Sequence, residues 1–214
     1  ATDTPRAANA AVADRLPLED TSDFVDATRG LLAQLKQDTI TDVDGNVVWQ
    51  VSRRDFIDGD SPDTVNPSLW RQERLNSEHG LFEVMDGIYQ VRGYDLAVMS
   101  VIRGDTGWII VDPLLSQETA AAALGLVNDT LGNRPVTGVI YTHSHGDHFG
   151  GVRGVIDEAD IEARGGQARL LGEPRRRVGV ARVIGNDGET ALVAQPFADR
   201  AADPARAPGY DSHP

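Results

Sequence analysis

Apolar side chains recur at helical spacing from Phe24 through Ala27, Leu31 and Leu35, with Thr21 or Ser22 placed to cap the first free N–H groups. This spacing predicts one amphipathic helix over 24–35. Between Asp38 and Asn76 the apolar pieces become short and are cut by Asp44-Gly45-Asn46, Asp58-Gly59-Asp60 and Asn66-Pro67, which predicts a loop-rich stretch. From Leu81 the period shortens to two. Leu81 to Met85 and Ile88 to Arg92 flank Asp86-Gly87, a dipeptide suited to a tight hairpin. A second hairpin is predicted from Leu96 to Arg103, turning at Asp105-Thr106-Gly107 and returning as Trp108 to Val111, where Asp112-Pro113 ends the strand because proline has no N–H for the ladder.

The next stretch switches period again. Ser116 can cap a helix through Leu131, rich in Ala and Leu with Glu118 in its first turn, and Gly132-Asn133 stops it. Val136 to Tyr141 then forms a short apolar strand that is expected to be buried and that runs directly into Thr142-His143-Ser144-His145. Strand, helix, strand and then a polar loop at the strand's C-terminal end is the geometry of α/β active sites, so the chemistry is expected at that edge.

Composition narrows the function classes. The 214 residues carry 33 acids against 20 lysines and arginines, a net charge of −13, and a field of that sign repels phosphate backbones and anionic lipid surfaces. Nucleic acid is therefore not an expected partner. No apolar run approaches the ~20 residues of a membrane span. Residues 1–13 lack the charged-then-apolar pattern of a secretory signal, which leaves the compartment open between cytoplasm and periplasm or secretion. With no cysteine, disulfides, thiolate-bound metal and thiol nucleophiles are excluded.

The candidate chemistry is concentrated in six residues, His143-Ser144-His145-Gly146-Asp147-His148, which hold three of the five histidines. Imidazole is the commonest nitrogen ligand for zinc-like metals and carboxylate is its hard partner. Gly146 is expected to let the loop fold back so that alternate side chains converge. A metal site is the favoured reading; a solvated His-rich turn is the bland one. Other signals weigh less. Asp42-Val43-Asp44-Gly45 and Asp58-Gly59-Asp60 lack the ligand pattern of a calcium loop and read as turns. Asn128-Asp129-Thr130 is a formal glycosylation sequon on a predicted helix. Gly150-Gly151-Val152-Arg153-Gly154 is better explained by close backbone packing than by a phosphate cradle. His79, beside Gly80, reads as a structural hydrogen-bonding residue, and Arg175-Arg176-Arg177 as a solvated basic run.

The H-x-H-x-D-H pattern, preceded by a strand and followed by Phe149-Gly150-Gly151, resembles the signature of the metallo-β-lactamase superfamily. Thr64 to Gln72, His79 to Val84 and Ile88 to Gly93 resemble its alkyl sulfatase branch, and the resemblance runs from about Phe24 to about Leu171. It implies an α/β fold, the N-terminal half of an αββα sandwich, preceded by a helical, loop-rich extension. Residues 1–80 would be that extension, 81–172 a partial metallo-β-lactamase-like domain, and 173–214 an atypical tail. The resemblance implies two zinc ions and hydrolysis of linear alkyl sulfate esters of the dodecyl sulfate type. His143 and His145 would bind the first metal, Asp147 and His148 the second, with Asp147 also carried over as the catalytic carboxylate.

Four ligands leave two zinc positions short of the usual three each. The family completes them with later glutamates and a later histidine, whereas here only His213 follows the cluster. Relatives resemble homodimers, yet their dimerisation region has no counterpart. After Gly172 the Pro-, Ala- and Arg-rich text no longer resembles the family, so a truncated or frameshifted product with one sheet face uncovered is expected, against a natural disordered tail as the alternative. Two further functions stay open: a metal-binding fragment without turnover, and another hydrolase of the same fold such as a thioesterase, lactonase or β-lactamase.

Overall fold

The computed structural model describes residues 2–163 together with two short strands at 183–184 and 190–191. The chain begins with helix α1 (Asp3–Ala13), an Ala-rich segment that buries no residue and is tied down through Arg6, whose Nε lies 2.9 Å from Asp63 Oδ2. High intrinsic helix propensity forms it without an apolar face, which is why hydrophobic periodicity did not signal it. Helix α2 (Ser22–Thr28) follows and is shorter than the spacing predicts. Leu31 and Leu35 are not its last turns; Leu31–Ala33 forms strand β1 instead. The break is at Gly30, whose φ of 76° suits glycine, and a Cβ there would stand 2.2 Å from the Glu83 carbonyl oxygen. Docking against the neighbouring strand thus overrides the helical pattern.

Strands β2 (Thr39–Thr41) and β3 (Val47–Gln50) pair antiparallel around the Asp42 turn, and helix α3 (Pro67–Asn76) follows. The loop-rich expectation for this stretch missed both elements. Asn66-Pro67 is not a turn but a helix start: the Asn66 side chain accepts from Ser68 N at 2.9 Å and Pro67 occupies the first turn. The Asp42 segment is the expected turn, its Oδ1 accepting from Asp44 N and Asn46 N at 2.9 and 2.8 Å. Hydrogen bonds from the Asn46 side chain and backbone hold Asp42 below the ordinary value of 3.8, and those from Ser52 do the same for Asp38. Depressed carboxylates stabilise the folded state above the unfolded value and lose that contribution as pH falls through the folded one. Amide-exchange protection of the β2–β3 pair is therefore expected to be complete at pH 5 and to weaken below pH 3.8 before the main sheet does.

The main sheet continues with β4 (Gly80–Met85), β5 (Ile88–Arg92), β6 (Met99–Arg103), β7 (Trp108–Val111) and β8 (Val136–Ile140), in the order β1-β4-β5-β6-β7-β8. Both predicted hairpins form, the second beginning at Met99 rather than Leu96. Helix α4 (Gln117–Leu131) connects β7 to β8, which pair in parallel. Its caps are those read from the residues: Ser116 Oγ accepts from Thr119 N at 3.1 Å, and Gly132 ends it at φ 97°.

One sheet face carries Leu81, Tyr89, Val91, Met99, Val101, Trp108 and Ile110, all buried, and packs on Ala120, Ala123 and Val127 of α4 with Ile40 and Trp49 of the small hairpin. Trp108 Nε1 donates to Asn128 Oδ1 at 2.8 Å, so the residue of the formal sequon has a structural use. The cross-strand row Ile88, Ile102 and Ile109, and Val111 with Ile140, point to the opposite face and are half-buried. The expected burial of β8 holds for Val136, Gly138 and Val139, with the alternate residues half-buried. After β8 come 3₁₀ turns at 146–148 and 152–154, helix α5 (Glu158–Ala163), and a separate antiparallel pair, β9 (Val183–Ile184) and β10 (Thr190–Ala191). Arg175 to Arg177 and His213 lie outside the described residues, among which no helix is long and apolar enough to cross a membrane.

Candidate metal centre

β5 ends, β6 begins, and β7 and β8 both end at one edge of the sheet. The parallel pair delivers two loops side by side there, and Asp112 N donates to Ile140 O at 2.9 Å as the last rung between them. The second loop holds the histidine cluster. A 3₁₀ turn closes it, with His148 N donating to His145 O at 3.0 Å and Gly150 N to Gly146 O at 2.8 Å. Gly146 does not use the positive-φ region, so the turn itself, not glycine's conformational freedom, brings these side chains together.

The side chains meet in two pairs. His143 Nε2 and His145 Nδ1 stand 3.1 Å apart, and His148 Nε2 stands 3.5 Å from Asp147 Oδ2. The rings of His143 and His148 adjoin, with centroids 3.9 Å apart. His143 and His145 are exposed, while Asp147 and His148 are half-buried. Two donors held about 2.0–2.1 Å from a tetrahedral ion lie about 3.3 Å from each other, so both spacings match one edge of a zinc-like coordination shell. Nitrogen and carboxylate donors without sulfur also suit such a metal. Among the described residues, however, no three His, Cys, Asp or Glu groups converge on a single point. The residues present therefore fit two adjoining half-sites.

By sequence, Asp112 is simply the residue that ends a strand before Pro113. The structure makes it the buried hub of the loop. Its Oδ1 accepts from Thr142 N at 2.8 Å, and its Oδ2 accepts from Thr142 Oγ1 at 2.6 Å and from His148 Nδ1 at 2.8 Å. Because a carboxylate only accepts, His148 carries its proton on Nδ1 and leaves the Nε2 lone pair free. Thr142 spends its single hydroxyl proton on Asp112, so its oxygen accepts from His143 Nδ1 at 2.9 Å. His143 Nε2 is thereby left with its lone pair, which faces His145 Nδ1 at 3.1 Å. One carboxylate sets the ring state of a candidate ligand in each pair. It does so from a strained backbone: Asp112 and Leu114 have φ of 55° and 66°, a region costing non-glycine residues roughly 1–2 kcal/mol. The signal in the sequence was an Asp at the end of a strand parallel to the one entering the cluster.

Nearby, burial pushes the Tyr141 phenol up to about 12, so it stays protonated at neutral pH, and its ring packs edge-on to Phe149 at 6.2 Å. The glycine run after the cluster is a packing surface, as read. A Cβ on Gly151 would lie 2.2 Å from Pro113 O, 2.5 Å from Ser116 O and 2.8 Å from Ala120 Cβ. Gly151→Ala is expected to lower stability by about 3 kcal/mol or more, since two backbone segments must separate; urea unfolding measures it, and an unchanged midpoint contradicts the packing. His79 is structural as expected, its Nδ1 3.0 Å from Ser77 O and its ring tilted against Tyr94 at 5.8 Å.

Residues 92–210 match the model of the metallo-beta-lactamase superfamily. The chain belongs to this superfamily. The match runs past Gly172, where the resemblance read from the residues stops. Within the superfamily the chain is similar to alkylsulfatases: 53% identical over 165 residues to the linear primary-alkylsulfatase of a Pseudomonas species, and 48% identical over 165 residues to the alkyl/aryl-sulfatase BDS1 of Saccharomyces cerevisiae. These alignments take in 76% and 77% of this chain but 24% and 25% of the relatives, so the chain spans about a quarter of their length. The solved structure of the stereoselective inverting sec-alkylsulfatase Pisa1 from Pseudomonas superposes with a TM-score of 0.71 at 49% identity, covering 76% of this chain and 26% of that one. The α/β sandwich-half architecture and the alkylsulfatase resemblance both stand on these matches.

Proposed function

We propose that the chain carries zinc-dependent hydrolysis of linear alkyl sulfate esters of the dodecyl sulfate type. The observation that carries this reading is the identity of about one half to alkylsulfatases over about three quarters of the chain. In this reading His143 and His145 hold one zinc, and Asp147 and His148 the other, with Asp147 at the catalytic junction. When bound, such a metal pair acidifies water at the site and offsets the negative charge of the sulfate oxygens. The chain's own work is to fix the donors. Asp112 keeps the protons of His148 and, through Thr142, of His143 on Nδ1, and the Gly150-Gly151 contact seats the loop against 113–116.

A second reading, metal binding without turnover, is favoured by the two incomplete pairs among the described residues. Sulfate release from dodecyl sulfate by the zinc-supplemented 214-residue chain separates the two. Release is expected to be far slower than for the Pseudomonas linear primary-alkylsulfatase assayed on a primary alkyl sulfate, since each tenfold loss needs only about 1.4 kcal/mol of lost transition-state stabilisation. Release abolished by a chelator supports the sulfatase reading; one zinc or fewer per chain with no release supports the second.

A further inference from the structure

Resting on the sulfatase reading, we infer that Leu96, Val98 and Leu115 form the seat for the alkyl tail of the substrate. These side chains are 65%, 41% and 44% exposed. A single exposed leucine is ordinary, but these three come from two loops at the edge that carries the histidine cluster. The loop between β5 and β6 supplies Leu96 and Val98, and the loop between β7 and α4 supplies Leu115. Asp95, 6% exposed, binds the two loops together: its Oδ1 accepts from Leu96 N and its Oδ2 from Leu115 N at 3.1 Å, with Thr119 Oγ1 also donating to Oδ2. Both leucine backbones are thus held by opposite oxygens of one carboxylate.

The seat adjoins the cluster. Leu115 Cδ1 lies 3.7 Å from where a Gly146 Cβ would stand, and Gly151 N donates to Leu114 O at 2.9 Å. Leu114 is itself buried at a φ of 66°, so the backbone accepts strain where it turns Leu115 outward beside the loop. Of the other exposed apolar residues, Val84 and Met85 lie at the opposite end of β4, and Val43 lies on the small hairpin's turn. The edge therefore places uncharged contact area next to the histidine cluster, which the proposed zinc ions would make cationic, and that arrangement fits an amphiphile with an anionic head and an aliphatic tail. It sets selectivity by tail length.

Butane-, hexane- and octanesulfonate test this below their micelle thresholds, because their C–S bond is not hydrolysed. Dissociation constants are measured by NMR titration of the 214-residue chain with and without zinc. Affinity is expected to rise about two- to fourfold per methylene. The Leu96→Ser, Leu115→Ser double variant is expected to flatten that slope to near unity without changing zinc binding, while Val43→Ser keeps it. A wild-type slope near unity, or a double variant that keeps the wild-type slope, overturns the seat and leaves the metal reading intact. A slope that depends on the two leucines in a chain that binds no zinc supports the seat and sinks the metal reading instead.

Discussion

Asp112→Asn is expected to weaken zinc binding at both positions by about 10- to 100-fold while the fold persists. Asparagine tolerates the left-handed backbone that Asp112 occupies, and its amide oxygen can still accept from Thr142 N. Its NH₂ group, however, then faces His148 Nδ1 and Thr142 Oγ1, where an acceptor had been. His148 must carry its proton on Nε2 to accept at Nδ1, and the threonine hydroxyl turns its proton toward His143 Nδ1. Both candidate ligand atoms are blocked by one atom's change. Thr142→Val reaches only the His143 arm and is expected to spare the Asp147–His148 pair. Chelator competition reads the affinities and ¹⁵N spectra read the ring states; an Asp112→Asn chain that keeps wild-type affinity at either position refutes the relay.

His143→Ala and His148→Ala are each expected to remove one zinc rather than both. The two rings belong to different pairs, although they adjoin with centroids 3.9 Å apart. Alanine deletes a donor outright, whereas the Asp112 change only misdirects two. Elemental analysis of each variant counts the metal, and loss of all zinc from His148→Ala alone contradicts the two-position roster.

Residues close in sequence made much of the molecule legible. Asp86-Gly87, Ser116 with Gly132, and the apolar run into the cluster each act through neighbours a few positions away, and the hairpin, helix α4 and β8 formed as read. The misreadings share a cause. Leu31 fits a helix by spacing but pairs with Phe82, and Gly30 is pressed against Glu83, so a contact across the chain outweighed local periodicity. Helix α3 was readable in principle from Asn66 as cap and Pro67 as first-turn residue, a signal lost because Asn-Pro also marks turns.

The sequence by itself determined the candidate donor set, three imidazoles and a carboxylate on a loop after a buried strand, because ligand chemistry is a property of residue type and short spacing. Tertiary structure alone decided which ring nitrogens are free. That choice belongs to Asp112, 30 residues from Thr142 and 36 from His148. A carboxylate's partners at such separations exist only once the parallel pairing of β7 and β8 sets two strand ends side by side, and no local pattern encodes that adjacency.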